Sequence, residues 1–346
     1  MNPGLLTTEA LVLRNLRFGD TSRVATLFTR EAGKLGAIGK GVREPKSPFG
    51  ASLEVLTLSS FVLYYRPGRD LHLLKSGSVE REFRGILRRP TRYLFASALA
   101  EFLDRVLMAE EPAGEIFALA LRVLEVLEQA AEPSLPELFR AFQLRVASLL
   151  GYAPRLDACD GCGRALPARV SEEGAGDDAP GTGGPAAERP RSRGPSSPDA
   201  TGLWLFRARE AGVLCPSCAG ASEATAARPE RSLPEGEEGV RLHPRAVRRL
   251  RAMALGVGRA PAETPSAPTA LSMATPPEFS ASAPTSGVRE RAPAPMPSTA
   301  WLRLLDRLVE EYLRYHLDSY RGLRSLDALA SWEGVLRPRE SPSPAD

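Results

Sequence analysis

Apolar and polar positions alternate along the first quarter of the chain, and the period then lengthens to that of helices. Five short β-rich runs fall within residues 7–82: Thr8–Leu13, Arg23–Phe28, Lys34–Gly39, Leu56–Tyr65 and Leu71–Val79. Turn chemistry separates them at Phe18-Gly19-Asp20, Glu31-Ala32-Gly33 and Arg66-Pro67-Gly68-Arg69-Asp70. Five strands in about 75 residues predict a small barrel of the OB-fold type, with an SH3-like barrel as its rival.

From Thr91 the apolar positions recur every three to four residues. Leu94, Ala98, Phe102 and Val106, with Leu99 and Leu103, make one helical face; Ile116, Ala120, Leu124 and Leu127 make a second. The third helix carries Leu138, Phe142, Val146 and Leu149, with a capping box predicted at Ser134-Leu135-Pro136-Glu137 and a C-terminal cap at Gly151. A short helix is predicted from His243-Pro244 through Leu255, and a long one carries Trp301, Leu304, Leu305, Leu308, Tyr312 and Leu313. The expected organisation is a barrel over 1–82, a helical domain over 83–156 and 221–336, and a cysteine module over 157–220. Stretches rich in Gly, Pro, Ser and charge predict disordered inserts near 168–201 and 257–297 and a disordered tail over 337–346.

Four cysteines occur in the 346 residues, as Cys159-Asp-Gly-Cys162 and Cys215-Pro-Ser-Cys218. Two such knuckles supply four thiolates to one tetrahedral ion, and a closed shell of this kind is structural rather than catalytic. Although 52 residues separate Cys162 from Cys215, loop-closure entropy grows only logarithmically with length, so the knuckles can still meet. Leu203–Phe206 and Gly212–Cys215 supply a strand-like return. Neither a signal-peptide pattern nor an apolar run of about 18 residues is present, so the expected location is cytoplasmic, with no membrane partner. In a reducing compartment paired knuckles favour zinc over disulfides.

Charge is unevenly placed. Residues 1–90 hold 15 Lys and Arg against 8 Asp and Glu, and all four lysines of the chain (Lys34, Lys40, Lys46 and Lys75) lie there. Arg14, Arg17, Arg23, Lys34, Lys40, Arg43 and Lys46 are therefore candidate nucleic-acid-binding residues, a cationic set able to neutralise several phosphates, with a solvated basic face over an aromatic core as the alternative. Phe18, Phe49, Tyr64 and Tyr65 are candidate base-stacking residues if exposed. Other chemistry is excluded on spacing. Gly33–Gly41 fails as a phosphate loop because Lys34 stands where its first glycine belongs and Gly41 where Ser or Thr binds magnesium. His72, His243 and His316 are scattered and read as surface, cap or packing residues. No His-x-Glu precedes the cysteines as a zinc deaminase requires. The rival non-enzymatic reading is a zinc-ribbon scaffold or transcription-type protein with an accessory barrel.

One series of segments in the barrel stands out: Thr8–Leu13, Phe18–Arg23, Leu27–Thr29, Gly33-Lys34, Gly39–Arg43 and Lys46-Ser47. Further on come Leu149–Tyr152 leading into Cys159 and Cys162, Gly212–Cys215, and Tyr315–Leu317 through Leu323–Leu326. Together, in this order and spacing, these segments resemble the RecO family of bacterial recombination mediators. The resemblance implies an α+β multidomain fold: an N-terminal five-stranded OB-fold β-barrel, then an all-α helical domain bearing a four-cysteine zinc-binding module, with no catalytic turnover. It further implies binding of single- and double-stranded DNA, annealing of complementary strands, and cooperation with RecR in loading RecA on DNA coated by single-stranded DNA-binding protein (SSB). The helical domain is where the family meets the acidic, apolar carboxy-terminal tail of SSB. The 52-residue gap between knuckles exceeds the family's usual spacing.

Overall fold

The computed structural model describes residues 4–44, 47–167, 202–220, 239–256 and 299–326. The expected inserts and tail, and Lys46, lie outside the described residues. The five predicted strands form: β1 (Gly4–Phe18), β2 (Ser22–Thr29), β3 (Gly33–Gly39), β4 (Thr57–Tyr65) and β5 (His72–Glu82). They close in the order β1-β2-β3-β5-β4 and back to β1, with β3 and β5 parallel and the other pairs antiparallel. This closed Greek-key order is that of an OB barrel.

β1 extends well beyond the Thr8–Leu13 run. Its register against β2 shifts between Val12 and Arg14, a bulge that bends the strand so that it serves two sides of the barrel. Ala10 and Val12 point into the barrel core with Leu27, Leu35, Phe61 and Leu63. Leu11 and Leu13 point outward into a second core shared with the helices. Barrel and helices are thereby joined by burial rather than by a linker.

The helices are α1 (Arg84–Leu87), α2 (Pro90–Val106), α3 (Gly114–Gln129), α4 (Leu135–Leu149), α5 (Pro244–Leu255) and α6 (Thr299–His316). Pro at the first or second position starts α2, α4 and α5, where its missing N–H costs no helical bond. The buried faces are the predicted ones: Ile116, Ala120, Leu124 and Leu127 on α3, and Leu305, Leu308, Tyr312 and Leu313 on α6. Phe28 of β2 meets Phe117 of α3 edge-on at 5.4 Å between centroids, and Phe102 packs edge-on against Phe142 and Tyr320.

The capping box before α4 does not form. Ser134 sits in helical dihedrals within a 3-10 turn, and its hydroxyl donates to the Ala131 carbonyl at 2.7 Å. The Glu137 carboxylate is taken instead by Arg249 of α5 and Trp301 of α6, because these helices pack where the box would have turned. Gly151 does end α4, at φ +93°. His243 caps α5, its ring nitrogen accepting from the Arg245 amide at 3.2 Å.

A small second sheet, which the sequence suggests only in part, carries the cysteines. β6 (Arg155–Cys159), β7 (Trp204–Arg207), β8 (Gly212–Leu214) and β9 (Val240–Leu242) run in the order β6-β8-β7-β9. Trp204 and Phe206 are buried in the shared core, and Phe206 lies 6.3 Å from the Tyr312 ring of α6.

Two tight joints fix the halves of the molecule. At Gly33, φ is +68° and a Cβ would stand 2.0 Å from the Glu111 carbonyl oxygen, so only glycine allows the α2–α3 loop to close on β3. Beside it the Lys34 carbonyl accepts from the Glu110 amide at 2.9 Å. Glu110 reaches on to the β4–β5 hairpin, accepting from the Gly68 amide at 2.7 Å and lying 3.2 Å from buried His72. The second joint is Glu101 of α2, which accepts from the Arg324 amide (3.1 Å), the Ser325 amide (3.0 Å) and the Ser325 hydroxyl (2.9 Å). Partial burial raises the Glu101 carboxyl pKa, but those three donors and Arg105 outweigh it, so the net shift is downward.

A carboxyl depressed in the folded state stabilises above its unfolded pKa, and that contribution disappears as pH falls through the folded value. Glu101→Gln is therefore expected to cost about 1–3 kcal/mol at neutral pH. In thermal unfolding against pH, the gap between wild type and variant should narrow as acid protonates Glu101; a gap that widens toward acid contradicts the assignment.

Candidate nucleic-acid interface and thiolate centre

The barrel's register builds a continuous outward row of apolar side chains. Leu5 of β1 opposes Tyr64 of β4, Tyr64 opposes Leu73 of β5, Leu73 opposes Ile38 of β3, Ile38 opposes Val24 of β2, and Val24 opposes Leu16, again on β1. Leu5, Leu16, Tyr64 and Leu73 are exposed, as is Phe18 at the β1–β2 hairpin, 59% accessible. Neighbouring strands stand about 4.8 Å apart, so the part of the row from Tyr64 to Leu16 follows the closed barrel around for about 19 Å. An exposed apolar row on a closed barrel is a contact surface, not a core face.

Cations flank both ends. At one end Arg17 of β1 directly opposes Arg23 of β2, which in turn opposes Gly39, next to Lys40. Arg23 is paired with Glu54 at 2.9 Å, and the Arg43 guanidinium donates to the Asp20 carbonyl at 3.0 Å. Arg14, Arg17, Lys40 and Arg43 are exposed. At the other end Arg66 and Arg69 join Tyr64, Leu71, His72 and Leu73 around a groove of about 420 Å³. Those two arginines are absent from the sequence-derived set. Their place in a turn motif disguised them, whereas the proximity of Tyr64 in sequence is the signal that finds them.

The structure separates Lys34 from the other candidates. Its ammonium donates to the Asp104 carbonyl and lies 3.8 Å from the Asp104 carboxylate, at the joint between β3 and α2. Desolvation there lowers its pKa, with Asp104 opposing. Of the candidate stacking residues, Phe18 and Tyr64 are exposed. Phe49 is buried in the barrel core, and Tyr65 packs on that core and lies 4.9 Å from the His72 ring.

The four cysteines converge as the spacing predicts, despite the long separation. β6 ends at Cys159, and its carbonyl accepts from the Gly163 amide at 2.8 Å to form the first knuckle. β8 leads into Cys215, and the helical turn from Pro216 carries Cys218. The four sulfurs lie within 4.8 Å of one another, with Cys162 and Cys215 3.8 Å apart. A zinc tetrahedron with sulfur bonds of about 2.3 Å has edges of about 3.8 Å, so this donor set fits such an ion. Burial raises the Cys159 pKa, yet the amides of Cys215, Cys162 and Gly161 aimed at its sulfur bring it down to about 7. Hydrogen bonding among the thiols, chiefly from Cys162 and Cys215, pushes Cys218 up to about 12. Amide donors aimed at one sulfur are what a thiolate ligand requires.

These features define a class, an OB-type barrel packed on a helical bundle that is stapled by a four-thiolate module. Comparison with known sequences narrows it. Residues 1–83 match the family model "Recombination protein O N terminal", and residues 87–215 match "Recombination protein O C terminal". The chain is 37% identical over 153 residues to the DNA repair protein RecO of Salinibacter ruber, covering 44% of this chain and 58% of that one. It is 36% identical over 217 residues to that of an Anaeromyxobacter species, covering 63% and 72%, and 36% identical over 163 residues to that of Rubrobacter xylanophilus, covering 47% and 64%. The chain belongs to the RecO family of DNA repair proteins. Among the described residues, no helix is long and apolar enough to cross a membrane.

Cys215 is fully buried and its neighbours belong to the shared core, so losing the centre should loosen the whole second sheet. Cys215→Ser is expected to weaken zinc uptake by the chain and to lower the melting temperature in the presence of zinc by at least about 5 °C. Elemental analysis with calorimetry checks both, and an unchanged melting temperature after complete metal removal contradicts the structural role.

Proposed function

We propose that the barrel's outer row binds single-stranded DNA, its bases laid on the apolar track and its phosphates held by the cations at either end. The observation that carries this reading is the coincidence of exposed Phe18, Leu16, Leu73 and Tyr64 with Arg17, Lys40, Arg43, Arg66 and Arg69. Unstacked bases offer apolar faces that a duplex hides, and stacking on an aromatic ring contributes roughly 1–3 kcal/mol per base without regard to sequence. Backbone neutralisation adds the salt-sensitive remainder.

On this reading the protein is a recombination mediator. It binds single- and double-stranded DNA, anneals complementary strands by screening their charge, and helps RecA load on SSB-coated DNA together with RecR. The helical half receives protein partners, including the tail of SSB, and the cysteines hold a structural zinc ion. None of these tasks requires a bond to be made or broken. The expected place of action is the cytoplasm, on the nucleoid.

Arg17→Glu, Lys40→Glu and Arg43→Glu together are expected to weaken binding of an oligothymidylate and to reduce the log–log salt slope by about 2, at about 0.7 per phosphate. Lys34 is left intact because its change acts through the joint with α2. Phe18→Ala and Tyr64→Ala should each lower affinity roughly fivefold or more, with the salt slope unchanged. Fluorescence anisotropy across a salt series separates the two effects; affinity independent of salt, or indifferent to all five substitutions, overturns the proposal.

A further inference from the structure

Six arginines that are dispersed in sequence converge on one cleft in the helical half. Arg105 of α2, Arg140 of α4, Arg307 and Arg314 of α6, and Arg321 and Arg324 beyond it line an open cavity of about 640 Å³. Two carboxylates line it too, Asp306 and Glu310, and both are already engaged. Buried Arg140 lies 2.6 Å from Asp306 and 3.6 Å from Glu310, and it also donates to Gln143 at 2.7 Å. Arg314 holds Glu310 at 2.9 Å, and the Tyr320 hydroxyl donates to the same carboxylate at 2.7 Å. Arg105 is paired with Glu101 at 2.6 Å. Among the described residues the exposed guanidinium groups of Arg307, Arg321 and Arg324 have no carboxylate partner, so the cleft retains about three positive charges.

The cleft is built rather than accidental. Glu101 clamps the Arg324 and Ser325 amides, and Tyr320 and Leu323 are buried. Gly322, at φ +86°, brings the chain so close to α6 that a Cβ would meet Arg314 at 3.2 Å and Glu310 at 3.3 Å. A fixed array of uncompensated guanidinium forks recognises phosphate oxygens in pairs. The apolar lining is limited to Leu323 and Leu326, so the cleft has no socket for a bulky apolar side chain and does not favour a peptide that needs one. Asp104, next to Arg105 on α2, contacts Lys34 of the barrel, so cleft and barrel are anchored on the same helix end.

We infer that this cleft is a second phosphate-binding site, which holds the backbone of a second DNA strand while the barrel holds the first. This rests on the barrel's proposed role and makes one molecule able to bridge two strands. The test uses the full chain with two oligothymidylates, one carrying a donor dye and one an acceptor, since thymidylate cannot pair with itself. Anisotropy reports capture of one strand, and energy transfer reports capture of two.

The variant Arg307→Glu, Arg321→Glu, Arg324→Glu is expected to keep one-strand affinity within about twofold and to lose about tenfold or more of the two-strand signal. The corresponding Gln variant, checked for an unchanged melting temperature, should lie between. Undiminished energy transfer in the Glu variant overturns the inference, as does a wild type that never captures two strands. A polyglutamate peptide that binds wild type but not the variant, with the two-strand signal equal in both, assigns the cleft to an acidic protein and also overturns it. If the cleft variant loses even the first strand while the barrel variant binds it normally, the barrel reading fails and the phosphate site in the cleft stands.

Discussion

The pairing of β1 on both of its edges is the constraint on which the rest of the molecule depends. Hydrogen bonding to β2 and β4 closes the barrel, and the bulge after Val12 lets one strand serve three environments. Ala10 and Val12 fill the barrel, Leu11 and Leu13 enter the core shared with α2 and α3, and Leu16 and Phe18 are left in water. Because side chains alternate with a period of two, a slip of one residue would exchange these sets. It would bury the exposed track and expose the joint to the helices together.

The shared core explains why the cysteine module matters so far from the barrel. Cys159, Cys215, Trp204 and Phe206 belong to the same apolar cluster as Leu11, Phe28 and the helix faces. Leu166 packs against that cluster and Trp204 belongs to it. The thiols of Cys159 and Cys162 meet those of Cys215 and Cys218, and the sheet that carries them packs against α5 and α6. The cysteines thus secure architecture, while the surfaces with uncompensated charge are elsewhere.

Much of this was legible in the sequence wherever a residue's environment is set by its near neighbours. Strands β2 to β5 and the buried faces of α3 and α6 follow from period alone, since one side of each must be covered. The convergence of the cysteines follows from ligand chemistry. What failed was decided by partners distant in sequence. Glu137 abandons a capping box because Arg249 and Trp301 compete for it. Lys34 looks like a free cation until Asp104 is beside it, and Phe49 like a stacking residue until Gly39 and Leu53 enclose it in the barrel. β9 is three residues long, too short for any periodicity. The apolar track exists only as a register across five strands, and the arginine cleft only where α2, α4 and α6 meet, so neither leaves a local trace.

In the function proposed for this chain, the outward row of the barrel, rather than the helices or the cysteine module, lies against unpaired bases. Photocrosslinking the full chain to an oligonucleotide carrying 5-bromodeoxyuridine, with the adducts mapped by mass spectrometry, locates that contact. Adducts on Phe18 and Tyr64 are the predicted result. Adducts confined to the helical half or to the second sheet, with the barrel unlabelled, would contradict it.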